Sequence, residues 1–181
     1  GTSYHAGLIA KYWIESICQI PCRVEIASEY RYRNPVVMED TLFIAISQSG
    51  ETADTLAALR AAKEAKYIST LVICNVPEST MVREAELVML TKAGPEIGVA
   101  STKAFTTQLT ALSLLTIVIA RRSGLDQNSE KEMVNQLLEL PTLIDQILAL
   151  DEDIKELAKN FSNKHHALFL GRGIQNPVAM E

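Results

Sequence analysis

Apolar and polar positions along the chain fall into blocks whose period changes several times. Leu42-Phe-Ile-Ala-Ile46 is a continuous apolar run of strand length, and it stops in the polar cluster Ser47-Gln-Ser-Gly-Glu-Thr52. Ala53 to Lys66 follows, rich in alanine and leucine and free of Gly and Pro, which predicts a helix. Thr70-Leu-Val-Ile-Cys74 is a second apolar run, closed by Asn75 and Pro77. Ser79 to Glu84 predicts a short helix and Leu87-Val-Met-Leu90 a third strand. Gly94 to Ser101 reads as a loop, and Thr102 to Arg122 as a long helix. Before all of these, Tyr4 to Ile20 predicts a helix and Arg23-Val-Glu-Ile-Ala27 a further strand. Strands that are apolar on both faces and alternate with helices mean a parallel sheet covered on both sides. The expected fold is a three-layer α/β unit.

After Gly124 the pattern changes. Ser129 with Glu132 forms a capping-box pair that opens a helix to about Leu140. Pro141 interrupts, and Leu143, Ile144, Ile147 and Leu148 resume helical spacing. Asp151-Glu-Asp153 places acids in a first turn, after which Ile154, Leu157, Ala158 and Phe161 share one face. With no strand among them, these residues predict a connector or helical arm. Ala167-Leu-Phe-Leu170 then returns to strand character and runs into Gly171-Arg-Gly173, which opens a helix as Gly1-Thr-Ser3 does. The echo points to a piece of a tandem of two related α/β units. The segment Ala167–Leu170 is expected to fill a vacant sheet position or to pair with another copy.

Composition narrows the classes. Apolar residues make up 48% and charged residues 22% of 181, the balance of an ordinary globular chain. Seventeen basic and 22 acidic residues leave a formal charge of −5, which argues against a nucleic-acid-binding face. Cys18, Cys22 and Cys74 are odd in number and apolar in surroundings, so they predict buried small hydrophobes in a reducing cytosol, not a disulfide framework or a zinc set. No secretory segment opens the chain. Ala104 to Ala120 is the most apolar stretch, but it carries four threonines, a serine and Gln108 and is shorter than the ~20 residues of a membrane span. It predicts a helix buried in a soluble protein.

In an open parallel sheet, ligands bind beyond the carboxyl ends of the strands. Three segments fall there. In Ser47–Thr52, the hydroxyls at 47, 49 and 52 and the free N–H groups of the next helix can converge on one anion, with Gly50 permitting close approach. No lysine or arginine lies in this loop and no nucleotide P-loop pattern occurs, so a small phosphate monoester fits better than a nucleoside triphosphate. Glu51 would be a like charge unless it points away. The same cluster serves equally as a Ser/Thr helix cap with no ligand. Thr2 and Ser3 can add donors to the ligand or simply cap their helix. In Gly94–Lys103, Ser101 offers a hydroxyl and Val99 and Ala100 offer backbone groups. Glu96 is a candidate base against a default of solvated loop acid, and Lys103 is either an anion partner or a surface residue. His5 stands near the site, again with a capping or surface role open to it. His165 and His166 point to opposite faces of a strand. No Ser-His-Asp order, paired carboxylates or HExxH occurs, so hydrolase chemistry drops out.

Gly1-Thr-Ser-Tyr-His-Ala-Gly7, Ser47-Gln-Ser-Gly-Glu-Thr-Ala-Asp-Thr55 and Gly94-Pro-Glu-Ile-Gly-Val-Ala-Ser-Thr-Lys-Ala104 together resemble the isomerase part of the glutamine–fructose-6-phosphate aminotransferase (glucosamine-6-phosphate synthase) family. The resemblance implies a flavodoxin-like sugar-isomerase (SIS) domain with a parallel sheet of about five strands between helices. It implies 1–124 as a first SIS domain lacking its first strand, 125–163 as a helical connector and 164–181 as the start of a second SIS repeat. Family members pair two SIS domains with a glutaminase and convert fructose 6-phosphate and glutamine-derived ammonia to glucosamine 6-phosphate, with no metal or organic cofactor. By the same resemblance Ser47, Gln48, Ser49 and Thr52 hold the phosphate, Thr2 and Ser3 help bind the sugar phosphate, and Val99 and Ser101 contact the sugar. The family's proton-transferring glutamate, imine-forming lysine and ring-opening histidine lie further along than Glu181, so this chain is expected to bind a hexose 6-phosphate without turning it over. A cytoplasmic homodimer, free of nucleic acid and membrane, is the implied setting. The alternative is a non-catalytic sugar-phosphate-sensing SIS module. A third possibility is a purely structural or dimerising domain.

Overall fold

The structure is a computed structural model that describes residues 1–98 and 100–181. Helix α1 spans Thr2–Trp13 and runs on through one π-helical stretch, Ile14–Cys18, which Gln19 ends in the left-handed conformation with φ 56°. Helix α2 (Ala27–Arg31) is a short turn. Strand β1 (Leu42–Ser47), helix α3 (Ala53–Glu64), strand β2 (Ser69–Cys74), helix α4 (Thr80–Glu84) and strand β3 (Leu87–Leu90) then alternate as the apolar runs predict. Helix α5 covers Lys103–Arg122, α6 Gln127–Leu148, α7 Asp151–Lys159 and α8 Gln175–Met180.

The strands make one parallel sheet in the order β1-β2-β3, with Leu42 opposite Ser69, Ser47 opposite Cys74 and Leu71 opposite Leu87. Period-two alternation sorts their side chains into two cores. Ile44, Ile46, Ile73 and Met89 meet Ala6 and Ala10 of α1 and Ala111 and Leu112 of α5 on one face. Phe43, Ala45, Val72 and Cys74 meet Leu56 and Leu59 of α3 and Met81 of α4 on the other. Helices therefore lie on both faces, and the three-layer α/β class holds. Because β1 and β2 end in register at Ser47 and Cys74, the loops that follow them leave from the same edge.

Four expectations need correction. The sheet has three strands, not five. Arg23–Ala27 joins no ladder: α2 starts at Ala27, while Val24 packs so close to α1 that its methyl lies 3.1 Å from where a Cβ on Gly7 would stand. Ala167–Leu170 also lies outside the sheet, with Leu168, Phe169 and Leu170 largely exposed, so it fills no vacant position. Apolar runs specify a strand only where an edge offers backbone partners. Finally, α6 is opened by Asp126, whose carboxylate accepts from the Asn128 and Ser129 amides, instead of by a Ser129–Glu132 box, and it passes through Pro141 without a break.

Helix α5 is 20 residues long and is, among the described residues, long and apolar enough to cross a membrane, so the expectation of a stretch too short for a span does not hold. Seven of its residues are buried, against α1 and the sheet. In α6 and α7 none is.

Candidate functional site

At the carboxyl ends of β1 and β2 the chain forms a cup of about 300 Å³. Its wall comes from four places. Ile46 and Ser47 end β1, Gln48, Ser49, Thr52 and Thr55 follow, Gly1–Ser3 begin α1, and Ser101 and Gln108 stand at the start of α5. Thr2, Ser3, Ser47, Gln48, Ser49, Thr52 and Ser101 all line it, whereas Val99 lies outside the described residues.

The hydroxyls of the β1–α3 loop divide their hydrogen-bonding capacity. Ser47 Oγ accepts the Gly50 amide at 3.0 Å, and Ser49 Oγ accepts the Glu51 amide at 3.2 Å. Each serine thus keeps its own O–H proton to donate. Thr52 occupies the position before α3 but makes no side-chain cap bond, so this threonine is not used as a helix cap. The first amides of α3 lack intrahelical acceptors, as those of any helix start do, and Thr52 and Thr55 bring this helix start to the cup. Helix α1 likewise begins at Gly1 with no side-chain cap. Two helix starts and two serine hydroxyls therefore converge on one concave space, a donor-rich lining suited to an anion.

Packing below the loop fixes its shape. Gly50 has φ 68°, and a Cβ there would come within 2.1 Å of Ser79 Oγ. Met81 donates its amide to the Gly50 carbonyl at 3.1 Å, and Cys74 Sγ lies 3.6 Å from the Gln48 carbonyl. Cys74 is therefore a buried prop for the loop, in keeping with its apolar surroundings. Glu51 does point away from the cup. Its Oε1 accepts the Thr80 amide at 2.7 Å, and that bond holds the carboxyl below its usual range.

The other candidates separate. Glu96 accepts the Ala104 amide at 2.8 Å and the Thr102 hydroxyl at 3.3 Å, so it anchors the start of α5 and is neither a poised base nor a freely solvated acid. Lys103 is exposed and does not line the cup. His5 pairs through Nδ1 with Glu181 Oε2 at 2.6 Å, and Thr2 donates its hydroxyl to Glu181 Oε1 at 2.5 Å. Burial alone would raise Glu181, but the bonds from Thr2 and His5 hold its carboxyl below the usual range. What Thr2 leaves free at the helix start is its backbone amide. Among the described residues, no three His, Cys, Asp or Glu side chains come together as a metal site. Burial raises the thiol pKa of Cys18 and Cys22, consistent with unreactive thiols.

Sequence reasoning passed over Thr55 and Gln108. Thr55 lies one turn beyond Thr52, a spacing that brings it back to the same side. Gln108 is a polar residue in the apolar run Ala104–Ala120, and the structure buries it. Among the described residues, no acid, base or nucleophilic thiol occurs among the side chains lining the cup.

The family model of the SIS domain matches residues 1–118. Along its whole length the chain is 60% identical to the glutamine–fructose-6-phosphate aminotransferase (isomerizing) of Pseudomonas putida and 57% identical to that of Escherichia coli. It spans 30% of the length of each of those relatives. The solved C-terminal domain of glucosamine-fructose-6-phosphate aminotransferase from Francisella tularensis superposes with a TM-score of 0.95 at 52% identity, over 99% of this chain and 50% of that one.

Proposed function

The chain belongs to the SIS-domain family, and on that footing we propose that its cup binds the phosphate end of a hexose 6-phosphate. The chain would act as the isomerase-domain part of a glutamine–fructose-6-phosphate aminotransferase. One observation carries this reading: Ser47, Ser49, Thr52 and Thr55 at the start of α3 and Gly1, Thr2 and Ser3 at the start of α1 surround one cavity, with Glu51 turned away. Ser47, Gln48, Ser49 and Thr52 hold the phosphate. Thr2, through its amide, and Ser3 help bind the sugar phosphate, and Val99 and Ser101 are the residues that would contact the sugar. Phosphate at paired helix starts needs no lysine, because several N–H and O–H bonds reach one dianion.

The described lining supplies donors but no titratable side chain, so these residues bind and orient without moving a proton. Conversion of fructose 6-phosphate requires groups other than these. By the same reading residues 1–124 are one SIS domain, 125–163 a connector and 164–181 the opening of a second. The longer relatives' glutaminase and second SIS domain would be its partners in a cytoplasmic homodimer.

Calorimetric titration with fructose 6-phosphate, glucosamine 6-phosphate and inorganic phosphate tests this. The expected result is binding of both hexose phosphates without turnover. Affinity should fall at least about tenfold in Ser47→Ala plus Ser49→Ala while the far-UV spectrum is kept. A folded chain that binds none of the three, or binds them equally after both substitutions, overturns the proposal.

A further inference from the structure

Gln108 is only 2% exposed, and its Oε1 is a buried side-chain oxygen with no hydrogen-bond partner among the described residues. Its neighbours on the buried face of α5 are Ala104, Ala111 and Leu112, all apolar. The other buried polar residue of that face, Thr116, is satisfied, since its hydroxyl donates to the Leu112 carbonyl at 2.8 Å. Gln108 is therefore the exception among the described buried residues. It is also one of the two most buried residues lining the cup, with Ser47 at 5% exposure. A leucine or methionine of similar size would fill this place without leaving an amide oxygen unpaired.

We infer that Gln108 is a further ligand-binding residue whose carboxamide accepts a hydroxyl of the bound sugar. An amide oxygen only accepts, and the dianionic phosphoryl group of a sugar phosphate offers nothing to donate. Its partner must be an O–H, which the polyol part of a hexose 6-phosphate carries and its ionised phosphoryl group lacks. The terminal torsion of a glutamine is soft, so a turn of the carboxamide is enough to face the ligand. Helix α5 thus reads the sugar while the β1–α3 loop holds the phosphate. This inference rests on the hexose 6-phosphate reading of the same cup.

The near-isosteric Gln108→Met separates the two. With the unaltered chain binding fructose 6-phosphate, Gln108→Met should weaken that binding about tenfold and leave inorganic phosphate unchanged. Ser47→Ala plus Ser49→Ala should weaken both. In the unaltered chain, the Gln108 side-chain amide NMR resonances should shift with fructose 6-phosphate and stay still with phosphate. That spectrum decides the matter if Gln108→Met does not fold. Unchanged sugar-phosphate affinity in Gln108→Met, particularly with a raised melting temperature, overturns this inference alone. Unmoved amide resonances on saturation with fructose 6-phosphate do the same. A folded, unaltered chain that binds no hexose phosphate overturns both.

Discussion

Helices α5 and α6 are nearly equal in length, 20 and 22 residues, and apolar residues recur at helical spacing along both. Yet α5 has seven buried residues and α6 has none. The first packs against both α1 and the sheet. The second stands clear, with Leu138, Ile144, Ile147 and Leu148 exposed, and α7 repeats the pattern with Ile154 and Leu157. A helical stripe of apolar residues shows that a face is suited to burial, but it does not say against what. Within one chain, the same pattern produces a core element where the sheet provides a partner and an uncovered arm where nothing described does.

The contrast can be tested by substitution. The largest effect is expected at Leu112, which is 2% exposed and packs with Ala6, Ala10 and Ile73. Leu112→Ala should lower unfolding free energy by about 2–5 kcal/mol in urea titration. A loss below about 1 kcal/mol would mean that the α1–α5 core is loose.

Next comes Gly50→Ala, where φ 68° and a Cβ 2.1 Å from Ser79 Oγ act together. It should cost about 2–4 kcal/mol and weaken phosphate-ester binding as the loop shifts. Full affinity in a stable Gly50→Ala chain would break the link between loop packing and the cup.

Smaller still is Leu138→Ala on α6, at 73% exposure. Its effect should stay within about 0.5 kcal/mol. A cost of the size expected for Leu112 would show that the arm is covered in solution by a second copy, which sedimentation would then register as a dimer.

The smallest test concerns acid. Ser129's hydroxyl and amide hold the Asp126 carboxyl below its usual range. Because the folded value is the lower one, the cap's contribution is complete above the ordinary aspartate pKa of about 3.9 and fades as pH falls through the folded value. Far-UV circular dichroism should therefore show α6 fraying on acidification, and Asp126→Ala should begin frayed and change less. Equal acid profiles would remove the carboxylate cap from the account of α6.

Much of this protein was legible without coordinates, for reasons that are local. The runs Leu42–Ile46, Thr70–Cys74 and Leu87–Leu90 are short, apolar throughout and bounded by polar or proline punctuation, so period and length determine strands buried between helices. The cluster Ser47–Thr52 marks a strand-to-helix turn because its residue types supply hydroxyls and a left-handed glycine where a chain reverses. Tertiary structure decided which features were shared across the chain. It determined that Thr2, Ser101 and Gln108, far apart in sequence, face the same space as Ser47. It also turned Glu51 toward Thr80, set Glu96 on α5 and left Arg23–Ala27 and Ala167–Leu170 without a ladder. Those outcomes depend on which backbone edge or amide stands opposite, and a residue's neighbours along the chain do not carry that information.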